Sequence, residues 1–305
     1  MDRQAFIHLP AEETARLVQL AGTKTCVFPI NGTRRWFMLE HMPGPADDFW
    51  SVYMDVAGKR HIELYRMMFE HGITYLLTPI LGPDILERES SYMVEMALPG
   101  MERLVSHPDF LDFYDRYEVR VHFYGDYRKH LKPELADHLD SISERTRRHS
   151  KRFLFYGTFA NDATETIAQL AIAYHTEHGK PPDKQTLVEL YYGEPVPPAN
   201  LFIGFGKFSA YDMPLVATGF EDLYFMTSPS PYLTEKGLRG ILYDHLYSRR
   251  GEEEDYKALS PADFDSMRAF FRANQDTTLG IGEKHDRWHF WLPETGAPGR
   301  AGGQP

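Results

Sequence analysis

Residues 25–37 read TCVFPINGTRRWF, an apolar run followed by an Asn-Gly turn, two arginines and two aromatic residues. The run over 25–30 is short and rich in β-forming residues, which is typical of a buried strand. Asn-Gly is a strong turn signal, so we expect the chain to turn where this strand ends. A helix that begins at such a turn presents free backbone N–H groups, which makes the stretch a candidate anion-binding site.

Five further apolar runs have the same β-rich character, and helical patterns separate several of them. The other runs span 73–81, 119–125, 152–159, 200–206 and 222–227. The helical patterns span 51–71, 162–178 and 234–249. Buried strands that alternate with helices predict an α/β fold with a central, mostly parallel sheet flanked by helices. We expect a single domain over 1–292 and a disordered, Pro- and Gly-rich tail over 293–305.

Composition excludes several classes of function. The chain has 305 residues and a formal net charge of −11, which argues against a general nucleic-acid binder because such proteins need clustered Lys and Arg. No stretch approaches the roughly 20 apolar residues of a membrane span, and the N-terminus lacks a signal-peptide core. The single cysteine, Cys26, cannot form an internal disulfide, and its apolar neighbours predict that it is buried. These features predict a soluble, cytoplasmic protein.

The turn carries the chemistry of an anion site. Gly32 lets the backbone approach a ligand closely, and the guanidinium groups of Arg34 and Arg35 match the geometry of phosphate oxygens. The residues alone leave a second interpretation open, in which a solvated arginine pair lies beside a core tryptophan.

The string NGTRRW (31–36) resembles the strand–DGNGRW–helix signature of cis-prenyltransferases, the undecaprenyl diphosphate synthase type. Asn31 takes the position of the aspartate, and Gly32, Arg35 and Trp36 take those of the glycine, the arginine and the tryptophan. The likeness is closer to one branch, the tuberculosinol/isotuberculosinol synthases. The strings that resemble this branch include MMFEHGI (67–73), HFYGDYRKHL (122–131), HGKPP (178–182), LFIGFGKFSAYDMPL (201–215) and LRGILYDHLYSR (238–249). The resemblance covers roughly 22–290.

The resemblance implies a cis-prenyltransferase α/β fold, usually a homodimer, and a prenyl diphosphate substrate with Mg²⁺ as cofactor. In this branch the substrate is a bicyclic C20 diphosphate. The enzyme ionises the allylic C–O bond, and water capture or proton loss then gives a diterpene alcohol or hydrocarbon. Prenyl transfer to a small nucleophile such as a nucleoside is the alternative. The activity would therefore be that of a hydrolase, a lyase or a transferase.

The resemblance also implies roles for individual residues. Tyr53 corresponds to a tyrosine implicated in the branch, where a phenol could orient water or stabilise a cation, and we place it with Asn31 and Arg35 among the catalytic residues. The diphosphate site would comprise Gly32, Thr33, Arg34, Arg35 and Arg88. The walls of the pocket would comprise Trp36, Phe37, Tyr124, Phe205 and Phe208. A surface arginine at 88, and core aromatic residues at Tyr53 and in the pocket set, are the alternatives.

Chain-elongating members of the family bind a second diphosphate through an RTxGExRxS type of sequence. Here Gly204 and Phe205 replace the Arg-Thr pair, Lys207 replaces the glutamate, and Ser209 replaces the second arginine. These changes remove charge-assisted contacts of about 1.5–3 kcal/mol each. The sequence therefore predicts poor binding of a second diphosphate and no chain elongation.

Asn31 is the sharpest departure from the family signature. The family aspartate is taken to hold Mg²⁺ or to assist ionisation, and a neutral amide oxygen is a weaker ligand for a hard cation. Three interpretations remain open. The enzyme ionises its substrate with arginines and the helix dipole alone, or the protein binds prenyl diphosphate without turnover, or the chain carries an Asp→Asn change made to trap a substrate.

Overall fold

The computed structural model describes residues 1–22, 24–45, 47–82, 96–159, 163–250, 256–288 and 290–294. A six-stranded sheet lies at the centre, and its strands follow the order β3-β4-β2-β1-β5-β6, with every neighbouring pair parallel. The strands are β1 (Thr25–Val27), β2 (Tyr75–Leu81), β3 (Val119–Tyr124), β4 (Arg152–Thr158), β5 (Leu201–Phe205) and β6 (Asp222–Met226). All six predicted strands are confirmed.

Helices flank this sheet, and a short antiparallel hairpin lies near the end of the chain. The helices are α1 (Arg3–Ile7), α2 (Ala11–Leu20), α3 (Thr33–Glu40), α4 (Phe49–Glu70), α5 (Leu98–Ser106), α6 (Pro108–Arg116), α7 (Tyr127–His130), α8 (Pro133–Arg145), α9 (Thr164–His178), α10 (Lys184–Tyr192), α11 (Glu235–Tyr243) and α12 (Pro261–Ala273). The hairpin strands are β7 (Gly282–Lys284) and β8 (Trp291–Pro293). The helical stretch predicted over 234–249 is α-helical over Glu235–Tyr243 and continues as a π-helical turn over Asp244–Ser248.

Both faces of the sheet are buried, as a parallel sheet requires. Successive side chains of β1 point to opposite faces, so Cys26 joins the apolar cluster that includes Tyr65 of α4, whereas Val27 joins the cluster that includes Tyr192 of α10. The prediction that Cys26 is buried is confirmed, and burial raises the pKa of its thiol. The predicted α/β fold with a central parallel sheet is therefore confirmed.

Strand β1 lies at the point where the order of the strands in the sheet reverses. The chain crosses from β1 to β2 on one side, whereas β5 pairs with the other side of β1. Ligands of open α/β sheets bind beyond the carboxyl ends of the strands at such a point. The Asn-Gly turn follows β1 at this edge.

A bulge shapes the same edge of the sheet. Pro79 of β2 pairs with Gly157 of β4, and the next pair is Leu81 with Thr158, so Ile80 is the extra residue. Proline cannot donate a ladder hydrogen bond, and a bulge is one of the places where a sheet tolerates it. Bulges re-aim side chains, and this one lies where strand β2 reaches the candidate site.

The described residues contain no helix that is both long and apolar enough to span a membrane. The single-domain boundary at 292 stays a prediction. The predicted disordered tail lies outside the described residues from position 295 onward, and its first residue, Pro293, ends strand β8.

Candidate active site

Helix α3 begins at the turn that follows β1. Its N-cap is Gly32, whose φ of 79° lies in the left-handed region that favours glycine. A Cβ at this position would lie 2.9 Å from Cβ of Pro229 and 3.0 Å from Cε1 of Phe205. No described side chain caps the helix, so the N–H groups of its first turn can bind a ligand. Position 32 requires glycine for two reasons, namely its left-handed backbone and the close approach of Pro229 and Phe205.

Hydrogen bonds fix Asn31 immediately before this glycine. The backbone N–H of Asn31 donates to Oγ of Ser230 at 3.1 Å, and its backbone carbonyl accepts from the N–H of Ser230 at 2.9 Å. The side-chain amide nitrogen donates to Oη of Tyr211 at 2.5 Å. The turn is thus tied to the 230–232 helical turn and to the segment that follows β5.

A cavity of about 710 Å³ opens beside the turn, a volume within the usual range for sites that enclose small ligands. Asn31, Gly32, Thr33, Arg34 and Arg35 line its polar part. The rest of the wall comes from α4, α5, α6, the end of β2 and the segment after β5, and it carries His61, Arg103, Tyr211 and Asp212 as well as apolar side chains. It includes Met54, Ala57, Ile80, Leu81, Met101, Leu104 and Phe110. The cavity therefore combines a cationic region with a large apolar body.

The two arginines have different surroundings. Arg34 is exposed, with its Cζ 5.5 Å from the centroid of the Trp50 ring. Arg35 is partly buried, with its Cζ 3.6 Å from the centroid of the Phe290 ring and 5.6 Å from that of Phe205. Desolvation lowers the pKa of Arg35, although an arginine remains charged at neutral pH. The aromatic contacts therefore fix the position of the Arg35 guanidinium beside Phe290 and Phe205, where the residue borders both cavities.

Tyr53 of α4 is a buried aromatic residue on the cavity wall. Its ring packs edge-on against Phe37 at 5.2 Å and stacks on Phe49 at 6.3 Å. Trp36 and Phe37, which were predicted to line the pocket, belong to the same aromatic cluster but are not among the described residues on the wall. They are buried behind Tyr53 and Ala57 because the amphipathic helix α3 turns this face toward α4.

The other predicted pocket aromatics also lie away from this cavity. Tyr124 is 1% exposed and packs among core residues behind the wall, with its hydroxyl against Gly157. Phe208 is 48% exposed and packs edge-on against Phe225. The Phe205 ring packs against Gly32 and lines a second cavity. Tyr124 and Phe208 are therefore not among the described residues that line the first cavity, and Phe205 lines the second. Their predicted place in a substrate pocket stays a prediction.

That second cavity, of about 510 Å³, adjoins the first at Arg35. Three aromatic residues and two lysines complete its described lining. They are Phe205, Phe290, Trp291, Lys207 and Lys284, together with Gly206. Phe205 and Lys207 are two of the positions where the second-diphosphate sequence of the family is lost. In their place, the cavity at this end of β5 has three aromatic residues and the positive charges of Lys207 and Lys284.

His61 of α4 lines the first cavity, and its Nε2 lies 3.3 Å from Oγ1 of Thr33. The Thr33 hydroxyl also donates to the carbonyl of Ile30 at 3.2 Å, so the threonine oxygen accepts from the imidazole in this arrangement. Burial, with the positive charge of Arg60 beside it, lowers the pKa of His61 to about 4. The imidazole is neutral at physiological pH and helps to fix the first residue of α3.

Asp212 supplies a carboxyl group to the same cavity. It is 5% exposed, and its φ of 54° is unusual for a residue with a side chain, although aspartate tolerates this region better than most. Burial raises the pKa of its carboxyl to about 6. Its neighbour in the chain, Tyr211, is the acceptor for the Asn31 side chain. A carboxyl group therefore lies on the wall even though the family aspartate is absent.

Comparison with proteins of known function gives relatives that match nearly the whole chain. The chain is 41% identical over 301 residues to tuberculosinyl adenosine transferase of Mycobacterium tuberculosis, covering 96% of this chain and 99% of that protein. This chain belongs to the tuberculosinyl adenosine transferase family. A second relative, (+)-kolavelool synthase of Herpetosiphon aurantiacus, is 25% identical over 298 residues, covering 95% of this chain and 94% of that protein. No protein-family model matches the chain.

Solved structures place the fold of this transferase-family chain among the cis-prenyltransferases. Lavandulyl diphosphate synthase from Lavandula x intermedia superposes with a TM-score of 0.53 and 16% identity, over 75% of this chain and 97% of that one. A probable undecaprenyl diphosphate synthase from Campylobacter jejuni gives 0.54 and 14%, with the same coverages. The resemblance expected from NGTRRW is thus confirmed in both family and fold.

Two elements of the predicted site remain predictions. Arg88 lies outside the described residues. The described residues form no group of three or more His, Cys, Asp or Glu side chains that could hold a metal. The oxygen that Asn31 offers is neutral, so a Mg²⁺ ion at this turn would be held mainly by phosphate oxygens of a bound substrate.

Sequence reasoning missed Tyr211, Asp212 and His61. The first two lie inside LFIGFGKFSAYDMPL (201–215), which we used only as a string that resembles the tuberculosinol/isotuberculosinol synthases. An acidic residue in a shared apolar string is a usable signal, because a buried carboxyl is costly and needs a reason. His61 lies within a helical pattern that also fits a core position, so its place on the cavity depends on the packing of α3 against α4.

Proposed function

We propose that this protein ionises a C20 prenyl diphosphate of the bicyclic diterpenyl class and quenches the resulting allylic cation. One observation supports this proposal most directly. A glycine-capped helix N-terminus with two arginines opens onto a cavity of about 710 Å³ that is lined by both polar and apolar side chains. The polar region matches a diphosphate, and the apolar region is large enough for a C20 hydrocarbon. The membership in a family of prenyl diphosphate enzymes supports the same chemistry.

In this proposal the first turn of α3 binds the leaving group. The N–H groups after Gly32 and the guanidinium of Arg35 interact most strongly when the C–O bond breaks, because negative charge then accumulates on the diphosphate oxygens. Thr33 holds its backbone position through Ile30 and His61. Arg34 adds a second charge from the exposed side. Arg88 is the remaining proposed contact.

The apolar wall controls the fate of the cation. Tyr53 presents an aromatic ring to the cavity, and an aromatic ring face stabilises a nearby positive charge by about 0.5–2 kcal/mol. The methionine, leucine and isoleucine side chains exclude bulk water, so a single captured water gives an alcohol and proton loss gives a hydrocarbon. A Mg²⁺ ion, when bound with the substrate, would neutralise part of the diphosphate charge, and the Asn31 Oδ1 is the neutral oxygen that the turn offers it. We also propose that the protein is a homodimer, as the resemblance to cis-prenyltransferases implies.

Transfer to a small nucleophile is the second proposed function, and the second cavity favours it. Phe205, Phe290 and Trp291 offer aromatic surfaces on which a flat base could stack, and Arg35 borders both cavities. The 41%-identical relative is named for transfer to adenosine. A nucleophile bound there would approach the cation from the side of the leaving group.

Product analysis tests both functions with one set of incubations. The purified protein is incubated with geranylgeranyl diphosphate or with a bicyclic C20 diphosphate, with Mg²⁺, with or without adenosine. We expect the bicyclic substrate to release diphosphate and to give a C20 alcohol or hydrocarbon in the organic extract. A prenylated nucleoside in the aqueous phase would favour the transferase. The proposal fails if neither substrate releases diphosphate above the protein-free rate.

Chain elongation is not expected. The second cavity keeps Lys207 and Lys284, but Gly204 and Phe205 stand where elongating enzymes have an Arg-Thr pair, so a second diphosphate loses its paired contacts. Radiolabelled isopentenyl diphosphate, added together with a C20 or shorter diphosphate, should leave no label in longer prenyl products. Label in any product longer than the added diphosphate would show that Lys207 and Lys284 replace the missing arginines.

A further inference from the structure

We propose that Asp212 is the proton acceptor of the reaction, and that Tyr211 positions the Asp212 segment against the Asn31 turn. This inference rests on the proposed function, because a proton is released only if a cation is formed and quenched. It assigns the role to a carboxyl group distant in sequence from the NGTRRW signature.

The location of Asp212 carries the inference. Asp212 lines the same cavity as Asn31, Gly32 and Arg35, yet only 5% of the residue is exposed. The adjacent Tyr211 accepts the Asn31 amide at 2.5 Å, so the segment is tied directly to the turn that precedes α3. The backbone of Asp212 lies in the left-handed region, with a φ of 54°, which is uncommon for a residue with a side chain. A buried carboxyl residue on a cavity wall is a candidate for a role in the chemistry.

Buried phenols surround Asp212 on the side away from the cavity. Tyr124 of β3 and Tyr191 and Tyr192 of α10 all interact with it electrostatically, and desolvation together with the Asp212 charge raises the pKa of each phenol. The hydroxyls of Tyr124 and Tyr191 are buried without a hydrogen-bond partner among the described residues, whereas Tyr192 donates to the carbonyl of Pro214. Asp212 is thus buried beside three phenols, and this burial is the cause of its raised pKa.

The proposed step conserves atoms and charge. The allylic C–O bond breaks, and its electron pair leaves with the diphosphate. For an alcohol, a water lone pair then forms the new C–O bond, and one water proton passes to a carboxylate oxygen of Asp212. For a hydrocarbon, a C–H electron pair beside the cation becomes a C=C bond, and the carboxylate accepts that proton. Solvent restores the carboxylate after the product leaves.

The pH dependence follows from the state of the base. Asp212 must be ionised to accept a proton, so activity should fall as the pH drops through about 6. The other described charged and titratable groups on the same cavity wall include Arg34, Arg35, Arg103 and His61, and burial lowers the pKa of His61 to about 4. The phenols that face Asp212 titrate far above this range. An acid limb near pH 6 is therefore assigned to Asp212.

Asp212→Asn tests the role because it keeps the shape and removes the basic oxygen. We expect kcat to fall about 100-fold, the usual contribution of a general base, and the acid limb near pH 6 to disappear. Dissociation constants for the C20 diphosphate should change by less than threefold, and thermal unfolding by only a few degrees. Asp212→Glu should restore part of kcat together with a shifted limb. His61→Gln serves as the comparison variant, in which the midpoint of the limb should stay in place.

The outcomes separate this inference from the proposed function. A parent chain that releases no diphosphate from any C20 substrate overturns both. A parent chain that turns over, with Asp212→Asn retaining its rate, its limb and its product ratio, overturns the inference alone and assigns the proton to the departing diphosphate. A limb that moves in His61→Gln but not in Asp212→Asn overturns it in favour of the imidazole. If Asp212→Asn is unfolded, Asp212→Glu decides: an unshifted limb contradicts the role of the carboxyl.

Discussion

Replacing Arg35 by alanine is expected to weaken binding of the C20 diphosphate about 10- to 150-fold, which corresponds to the loss of a charge-assisted contact of about 1.5–3 kcal/mol. The guanidinium lies between Phe290 and Phe205 at the first turn of α3, so it is already held where the diphosphate would bind. Little entropy is lost on binding when the cation is fixed in advance. The dissociation constant can be measured with a thiolodiphosphate analogue that does not ionise.

Two further variants show whether the lost affinity for the diphosphate arises in the first cavity or in the second. Arg35→Lys keeps the positive charge but loses the paired N–H donors of the guanidinium, so it should recover only part of the affinity. Lys207→Ala removes a cation that lines the second cavity and not the first, and it should bind the analogue as tightly as the parent. Unchanged affinity in Arg35→Ala, or an equal loss in Lys207→Ala, would remove the diphosphate from the first turn of α3.

Asn31→Asp is expected to raise kcat tenfold or more in the presence of Mg²⁺, equivalent to about 1.4 kcal/mol or more of additional transition-state stabilisation. A carboxylate adds a charged oxygen for a substrate-held Mg²⁺ beside the leaving group. The change should fit without rearrangement, because the Tyr211 hydroxyl that accepts from the amide can instead donate to a carboxylate. The gain should appear in kcat more than in KM, since it develops as the C–O bond breaks.

Steady-state kinetics of parent and variant across a Mg²⁺ titration give this comparison. The variant should show the steeper Mg²⁺ dependence, and its acid limb should move to higher pH if the new carboxylate raises the pKa of Asp212 by like-charge repulsion. Asn31→Ser, which also lacks the charge, is the control and should gain nothing. An inactive Asn31→Asp beside a parent that turns over briskly would mean that ionisation here uses the arginines and the helix N-terminus alone.

The fold could be predicted from the sequence because each strand is a separate apolar run with its own boundaries. Buried parallel strands need apolar side chains on both faces, and TCVFPI and LFIGFG meet that condition without any tertiary information. The order of the strands could not be read in this way, since pairing depends on long-range contacts. The place of β1 between β2 and β5, which positions the site, came from the structure.

The site was predictable only where a local motif determines it. Gly32, Thr33 and the two arginines occupy one turn, so their proximity follows from the chain itself. The pocket aromatics were assigned by residue type, and type does not tell which way a ring points: Trp36 and Phe37 pack behind Tyr53, and Phe208 lies on the surface. Asp212 and His61 approach the turn from 180 or so residues downstream and from α4, respectively, which only tertiary packing can reveal.

The central claim is that the diphosphate of a C20 substrate binds at the first turn of α3 while its hydrocarbon fills the cavity beyond. A crystal structure with a C20 thiolodiphosphate tests it most directly, because anomalous scattering from the sulfur locates the junction between head and chain. We predict phosphate oxygens within hydrogen-bond distance of the N–H groups after Gly32 and of the Arg35 guanidinium, with the chain against Tyr53 and Met101. Phosphate bound between Lys207 and Lys284, with the larger cavity empty of hydrocarbon, would contradict the claim.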